Sequence, residues 1–295
     1  MKFLLTSLLV LLAFPDLRAQ PDTIHPGRDL TPLLPYIFFD SGSAVIPDRY
    51  VRFKSSIEVE QFADTTIEGD ALAHYRQTLN IIGYRLKKYP RTTIAVSGHD
   101  SQQPDIGETK PIAEQRAQTL RNYLVEIWGI DPSRIRILPS GGWPKFPSNK
   151  KDPLGIVENR RAEISTDDWE IIQPIWRSRQ STGGGSPIDL YTFILFKFDS
   201  PDAGQLNERV LREYLDREIS QGARVTVVGS VDIIDDRCIK LSSQRAASVV
   251  NWIRKNIGPG RIASLQGMGA SEAQYVIDLP EGRFFSRSVL VSVER

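Results

Sequence analysis

The chain has 295 residues, enough for two domains of ordinary size, and its 40% hydrophobic and 25% charged residues are the make-up of a folded protein. With 37 basic against 36 acidic residues there is no charge excess of the kind a polyanion partner demands, which argues against nucleic acid. Cys238 is the only cysteine, so an internal disulfide and a cysteine-rich metal site are both excluded.

The first stretch, MKFLLTSLLVLLAFPDLRAQPD, has a positive Lys2, an apolar run from Phe3 to Phe14 and the small Ala19 at a plausible cut. It reads as a secretory signal peptide over residues 1–19, too short for a spanning helix, with a retained anchor as the alternative. The mature chain is then expected to begin at Gln20 and to carry 35 basic and 35 acidic residues, since Lys2, Arg18 and Asp16 leave with the peptide. No cysteine stands beside the cut to carry a lipid. No later segment approaches ~18 consecutive apolar residues, and no series of ten-residue alternating strands suggests a membrane barrel. The expectation is an exported, soluble protein.

After an N-terminal segment (20–33), LPYIFFD is apolar and aromatic enough for a buried strand. An insert of uncertain structure follows at about 42–70. Leu72, Tyr75, Leu79, Ile82 and Leu86 fall at helical spacing, and Pro90 closes that helix. TTIAVSG is a second strand. In PIAEQRAQTLRNYLVEIWG the core stripe is Ala113, Ala117, Leu120, Leu124 and Ile127, with Pro111 suited to a first turn and Gly129 to a stop. Residues 168–188, ending in RQSTGGGSP, read as a flexible linker.

The second half repeats this plan, with Ala246, Val249, Val250 and Ile253 as its helical stripe. FFDSGS (38–43) answers FKFDSP (196–201), VSG answers VVG, QRA at 115–117 answers QRA at 244–246, SRIRIL answers GRIASL, and NRRAEI answers SRSVLV. The offsets are 159, 131, 129, 127 and 127, nearly constant after the first mark, so the first half carries about 28 extra residues between its first two strands. Each half reads β-α-β-α-β-β. The fold class expected is α/β: two tandem two-layer sandwiches, helices on a small mixed sheet, at 34–167 and 189–295.

At these marks the chain resembles the OmpA-like (OmpA/MotB C-terminal) family of peptidoglycan-binding domains. The matching pieces are FFDSGS, SGHD, EQRAQTLRNYLVEIWGIDPSRIRIL and ENRRAEI in the first half. In the second they are FKFDS, VGSVD, LSSQRAASVVNWI, GRIASLQGMGAS and SRSVLVSV. The resemblance implies non-covalent binding of the diaminopimelate of the stem peptide in the periplasm, at the wall or outer membrane. An aspartate after the second strand and an arginine on the next helix would grip its zwitterionic end. An arginine fork suits a carboxylate, and a helix N-terminus adds positive partial charge.

The family pattern, Gly-x-Thr-Asp with the arginine fifteen residues on, is carried over imperfectly. In the first half Arg116 is in place, but fifteen back stands Ser101, and the acid, Asp100, is one position early. In the second half Asp232 is in register and Arg245 follows thirteen residues later. The last-strand arginines are Arg160, within an intact NRR, and Arg287, within SRS. Asp100, Arg116, Arg160, Asp232, Arg245 and Arg287 are thus the candidate ligand residues, and the second half is expected to grip better. Asp235 and Asp236 read as a polar turn, Cys238 as a small half-buried residue, His74 as an exposed helix position and His99 as loop filler. No metal triad, phosphate loop, nucleophile elbow or catalytic acid pair stands out, so neither a cofactor nor an enzyme is expected. The expected partner is peptidoglycan, together with other envelope proteins. The alternative is a pair of drifted OmpA-like domains that bind an envelope protein or surface assembly instead.

Overall fold

The computed structural model describes residues 25–181, 188–202, 204–216, 223–235, 238–258, 261–270, 275 and 277–294. The expected signal peptide, most of STGGGSP and Asp236 lie outside them. In chain order the main elements are β1 (His25–Thr31), β2 (Tyr36–Phe38), α1 (Ser56–Gln61), α2 (Ala71–Arg76), α3 (Thr78–Lys88), β3 (Ile94–Gly98), α4 (Lys110–Glu126), β4 (Ile135–Ile137), α5 (Pro153–Glu158), β5 (Arg161–Ser165), α6 (Trp169–Ile172) and β6 (Ile175–Ser181). Then come β7 (Ile188–Leu195), α7 (Gly204–Val210), β8 (Arg224–Gly229), α8 (Cys238–Asn256), β9 (Arg261–Gly267), α9 (Pro280–Ser286) and β10 (Ser288–Glu294).

The fold is mixed α/β, with helices on two small mixed sheets. One sheet has the order β2-β5-β3-β4 and the other β6-β1-β7-β10-β8-β9. In the first, β5 runs antiparallel to β2 and β3, and β4 is parallel to β3. In the second, β10 runs antiparallel to β7 and β8, and β9 is parallel to β8. The strand order and directions of the four-stranded sheet therefore recur in the larger one.

The predicted stripes face inward. Leu79, Ile82, Leu86, Ala117, Leu120 and Leu124 lie in one core, and Ala246, Val249, Val250 and Ile253 lie in the other. The predicted single helix at 70–89 breaks at Gln77 (φ −96°, ψ 6°), which ends α2 and starts α3 without interrupting the apolar face. His74 is buried rather than exposed, its ring Nδ1 2.8 Å from Asp70 O at the start of α2. The predicted insert holds α1, and its Tyr50 and Val59 join the first core.

Two departures tie the halves together. Residues 168–188 are not a linker throughout. Ile171 and Ile175 are buried in the first core, and Arg85 Nη1 donates to Ile171 O (3.0 Å) and Gln173 O (2.6 Å). From there β6 runs antiparallel to β1, which lies beside β7, so the N-terminal segment extends the second sheet. Phe284 and Phe285 of α9 are in turn buried in the first core. Each half completes the other, so neither is an independent bead on a flexible string.

Candidate functional site

Gly98 ends β3 and Gly229 ends β8. A Cβ at Gly98 would stand 1.8 Å from Ala113 O, and one at Gly229 would stand 2.1 Å from Ser242 O. Only a residue without a side chain lets α4 and α8 lie this close to the strand ends. That approach places Arg116, in the second turn of α4, and Arg245, two turns into α8, behind the strand ends and wholly buried.

Arg116 is held in a cage of carbonyls. Its Nε donates to Ser43 O (2.9 Å), its Nη1 to His99 O (2.9 Å) and its Nη2 to Asp40 O (3.2 Å). Arg245 donates to Ser200 O (3.0 Å), Ser230 O (3.3 Å) and Lys197 O (3.0 Å) in the same order. Phe39 lies under one guanidinium at 5.4 Å and Phe196 under the other at 5.5 Å. These contacts pair the first strands at an offset of 157, two less than the 159 that matching FDS to FDS suggests. The tertiary contacts follow the cage and not the letters.

The acids facing the arginines are not the expected ones. Glu108 meets Arg116 with both oxygens, at 2.9 Å to Nη1 and 2.7 Å to Nη2, and also accepts from Gly42 N (2.8 Å) and Ser101 N (3.2 Å). Asp235 meets Arg245 at 2.9 and 3.4 Å and accepts from Asp199 N (3.0 Å) and Asp232 N (3.2 Å). Each arginine thus faces a carboxylate seated among backbone N–H groups, a charge-assisted fork of the strong kind. Asp235, read as part of a polar turn, is buried. Glu108 went unnoticed in the sequence. The available signal was an acid eight residues before one helix arginine and ten before the other, in loops whose lengths differ by two.

Asp100 is turned away from Arg116 and accepts from Gln102 N (2.8 Å) and Gly142 N (2.6 Å), bracing the loop. Asp232 accepts from Ile234 N (2.7 Å) and Asp235 N (3.1 Å), and its other oxygen pairs with Arg287 Nε, not with Arg245. Burial drives its carboxyl upward and outweighs the pull of Arg287. Arg160 makes the matching contact in the first half, its Nε donating to Ser101 Oγ at 3.0 Å. Ser101 and Asp232 therefore hold corresponding places, as the spacing suggested. Arg287 continues across to the first half, where its Nη2 meets Glu158; Arg283 Nε meets the other oxygen of Glu158 at 2.6 Å. Among the described residues no group of three His, Cys, Asp or Glu side chains could hold a metal, and no helix is long and apolar enough to cross a membrane.

Burial raises the cost of charging Glu108, but the Arg116 fork and the N–H groups of Gly42 and Ser101 outweigh it and hold the carboxyl below its ordinary 4.5. A depressed carboxyl adds stability above its unfolded value, and this is lost as the pH falls through the folded value. Wild type is thus expected to exceed Glu108→Gln in unfolding free energy by a constant amount above about pH 4.5 and by progressively less below it. Urea unfolding of both across this range is the measurement; a gap that does not change with pH would refute the assignment.

Taken together, the fold and cages define a mixed α/β module whose strand ends enclose carboxylates in arginine forks. Residues 55–160 match the model of the OmpA family, so the chain carries an OmpA family domain there. Among solved structures it is similar to a MotB-like protein from Desulfovibrio vulgaris (22% identity, covering 35% of this chain and 68% of that one, TM-score 0.30). It is also similar to the peptidoglycan-associated lipoprotein from Burkholderia pseudomallei (14%, 48% and 90%, TM-score 0.29) and the T6SS cell wall anchor from Pseudomonas aeruginosa (21%, 36% and 74%, TM-score 0.26). A comparison with curated proteins gives no match.

Proposed function

We propose that this chain is an exported, non-enzymatic module of the cell envelope that holds peptidoglycan non-covalently, through an OmpA family domain followed by a second, diverged copy. The carrying observation is the cage itself. A helix arginine, fixed by three backbone carbonyls at a strand end, presents its fork to a carboxylate, the group that the end of a stem peptide offers. The recurrence of this cage around Arg245, together with the repeated strand order, supports the second copy. In this reading Arg116 and Arg245 address the ligand's carboxylate, Arg160 and Arg287 flank them, and Asp100 and Asp232 shape the loops beside it.

A second reading has its own observation. Both forks are already filled and fully buried, which fits drifted domains that bind an envelope protein by another surface. Co-sedimentation with purified sacculi, with and without free meso-diaminopimelate, separates the two. Retention that the competitor reduces is expected. No retention at low salt would leave the second reading standing.

A further inference from the structure

We propose that Glu108 is a tethered stand-in for a ligand carboxylate, and that the seat it leaves on swinging out takes a carboxylate without a neighbouring ammonium. This rests on the wall-binding reading and narrows the ligand class of its first site.

The seat is complete without Glu108. Arg116 is positioned by Ser43, His99 and Asp40, none of which belongs to the residue it pairs with, and Gly42 N and Ser101 N point at the same spot. The carboxylate enters from one end of a surface loop: Gln102 and Pro104 to Gly107 are exposed, Gln103 is half-buried, and Glu108 dips fully inward. Gly107, at φ +78°, is the joint before it. Withdrawing Glu108 therefore breaks no helix or strand pairing, since α4 begins two residues later.

The ligand class follows from the charges left behind. In the second half Arg287 pairs with Asp232 and Glu158, and Arg245 with Asp235. In the first half Ser101 stands where Asp232 stands in the second, so Arg160 meets a hydroxyl there and, at its other end, the amide oxygen of Gln103 (2.8 Å). Among the described residues the one carboxylate within ion-pair reach of Arg160 is Glu108, at 3.8 Å. Two guanidinium groups thus share one carboxylate, and Asp100 is engaged with backbone N–H groups. With Glu108 out, the seat holds two cations and no acid facing them. It suits a bare carboxylate, such as the C-terminus of a peptide, and repels an ammonium on the adjacent carbon.

The test is rescue of the full chain bearing Glu108→Ala by acetate or propionate, with glycine as the zwitterion of propionate's size and sodium chloride as the ionic-strength control. Either carboxylate at tens of millimolar is expected to raise the variant's Tm by about 5 °C, through binding to the folded state alone, and to leave wild type unmoved. Glycine and chloride are expected to do neither. Glu108→Gln keeps the side-chain volume should the alanine variant not fold. In it, acetate should shift the Gly42 and Ser101 amide resonances at concentrations at least tenfold lower than in wild type. Equal rescue by glycine, or no response to acetate or propionate in either variant, would overturn the proposal. Rescue by acetate with no retention of any form on sacculi would uphold the seat and remove the wall-binding reading. Wild-type retention on sacculi without acetate rescue would do the reverse.

Discussion

Glu158→Ala is expected to be among the most damaging single changes in the chain, costing about 3–5 kcal/mol or more, because removing one member of a buried ion pair strands the other. Here it deprives two arginines at once, Arg283 of its acid and Arg287 of one of the two acids it holds. Glu158 is fully buried; Arg283 Nε meets one of its oxygens at 2.6 Å and Arg287 Nη2 meets the other. Arg283 keeps Ile277 O and Leu154 O as acceptors, but among the described residues no other acid pairs with it. Because Glu158 comes from the first half and both arginines from the second, the loss should reach both halves. The measurement is urea unfolding followed by tryptophan fluorescence and far-ultraviolet circular dichroism. Replacing Glu158 and Arg283 together by methionine should cost less than Glu158→Ala, since it removes one stranded charge. A loss below about 1 kcal/mol for Glu158→Ala, the level of an exposed pair, would show that this cluster does not hold the halves together.

The second large effect is expected from Gly98→Ala. Overpacking a well-filled interior usually costs about 1–3 kcal/mol. At Gly98 the obstacle is the Ala113 carbonyl, 1.8 Å from the added carbon, and a backbone atom cannot rotate aside. The helix α4 must lift from β3, taking Arg116 off the carbonyls that position it. A loss of about 3 kcal/mol or more, roughly 5–10 °C in Tm, is expected. The Gly42 and Ser101 amide resonances should move with it. Gly229→Ala should act in the same way through Ser242 O at 2.1 Å. A folded Gly98→Ala protein with unchanged Tm and unmoved amides would mean that this close approach does not set the arginine's place.

Local order settled which stretches become helix and which become strand. The apolar stripes at Leu79, Ile82 and Leu86, at Ala117, Leu120 and Leu124, and at Ala246, Val249 and Ile253 are facts of spacing, and a helix with such a stripe must bury it. That Arg116 and Arg245 stand early in equivalent helices followed likewise, because QRA recurs at 115–117 and 244–246 after the glycine that ends each preceding strand. Which acid faces which arginine was not legible. Asp232 is in register with Arg245 along the chain, yet it pairs with Arg287 while Asp235 takes Arg245. Pairing across a loop depends on where its backbone N–H groups converge, and two residues of loop length move that point without changing composition. Nor could spacing show that β1 would extend the second sheet or that Phe284 and Phe285 would enter the first core. Those contacts join residues more than a hundred positions apart, and their energy comes from surfaces that do not exist until both halves have formed.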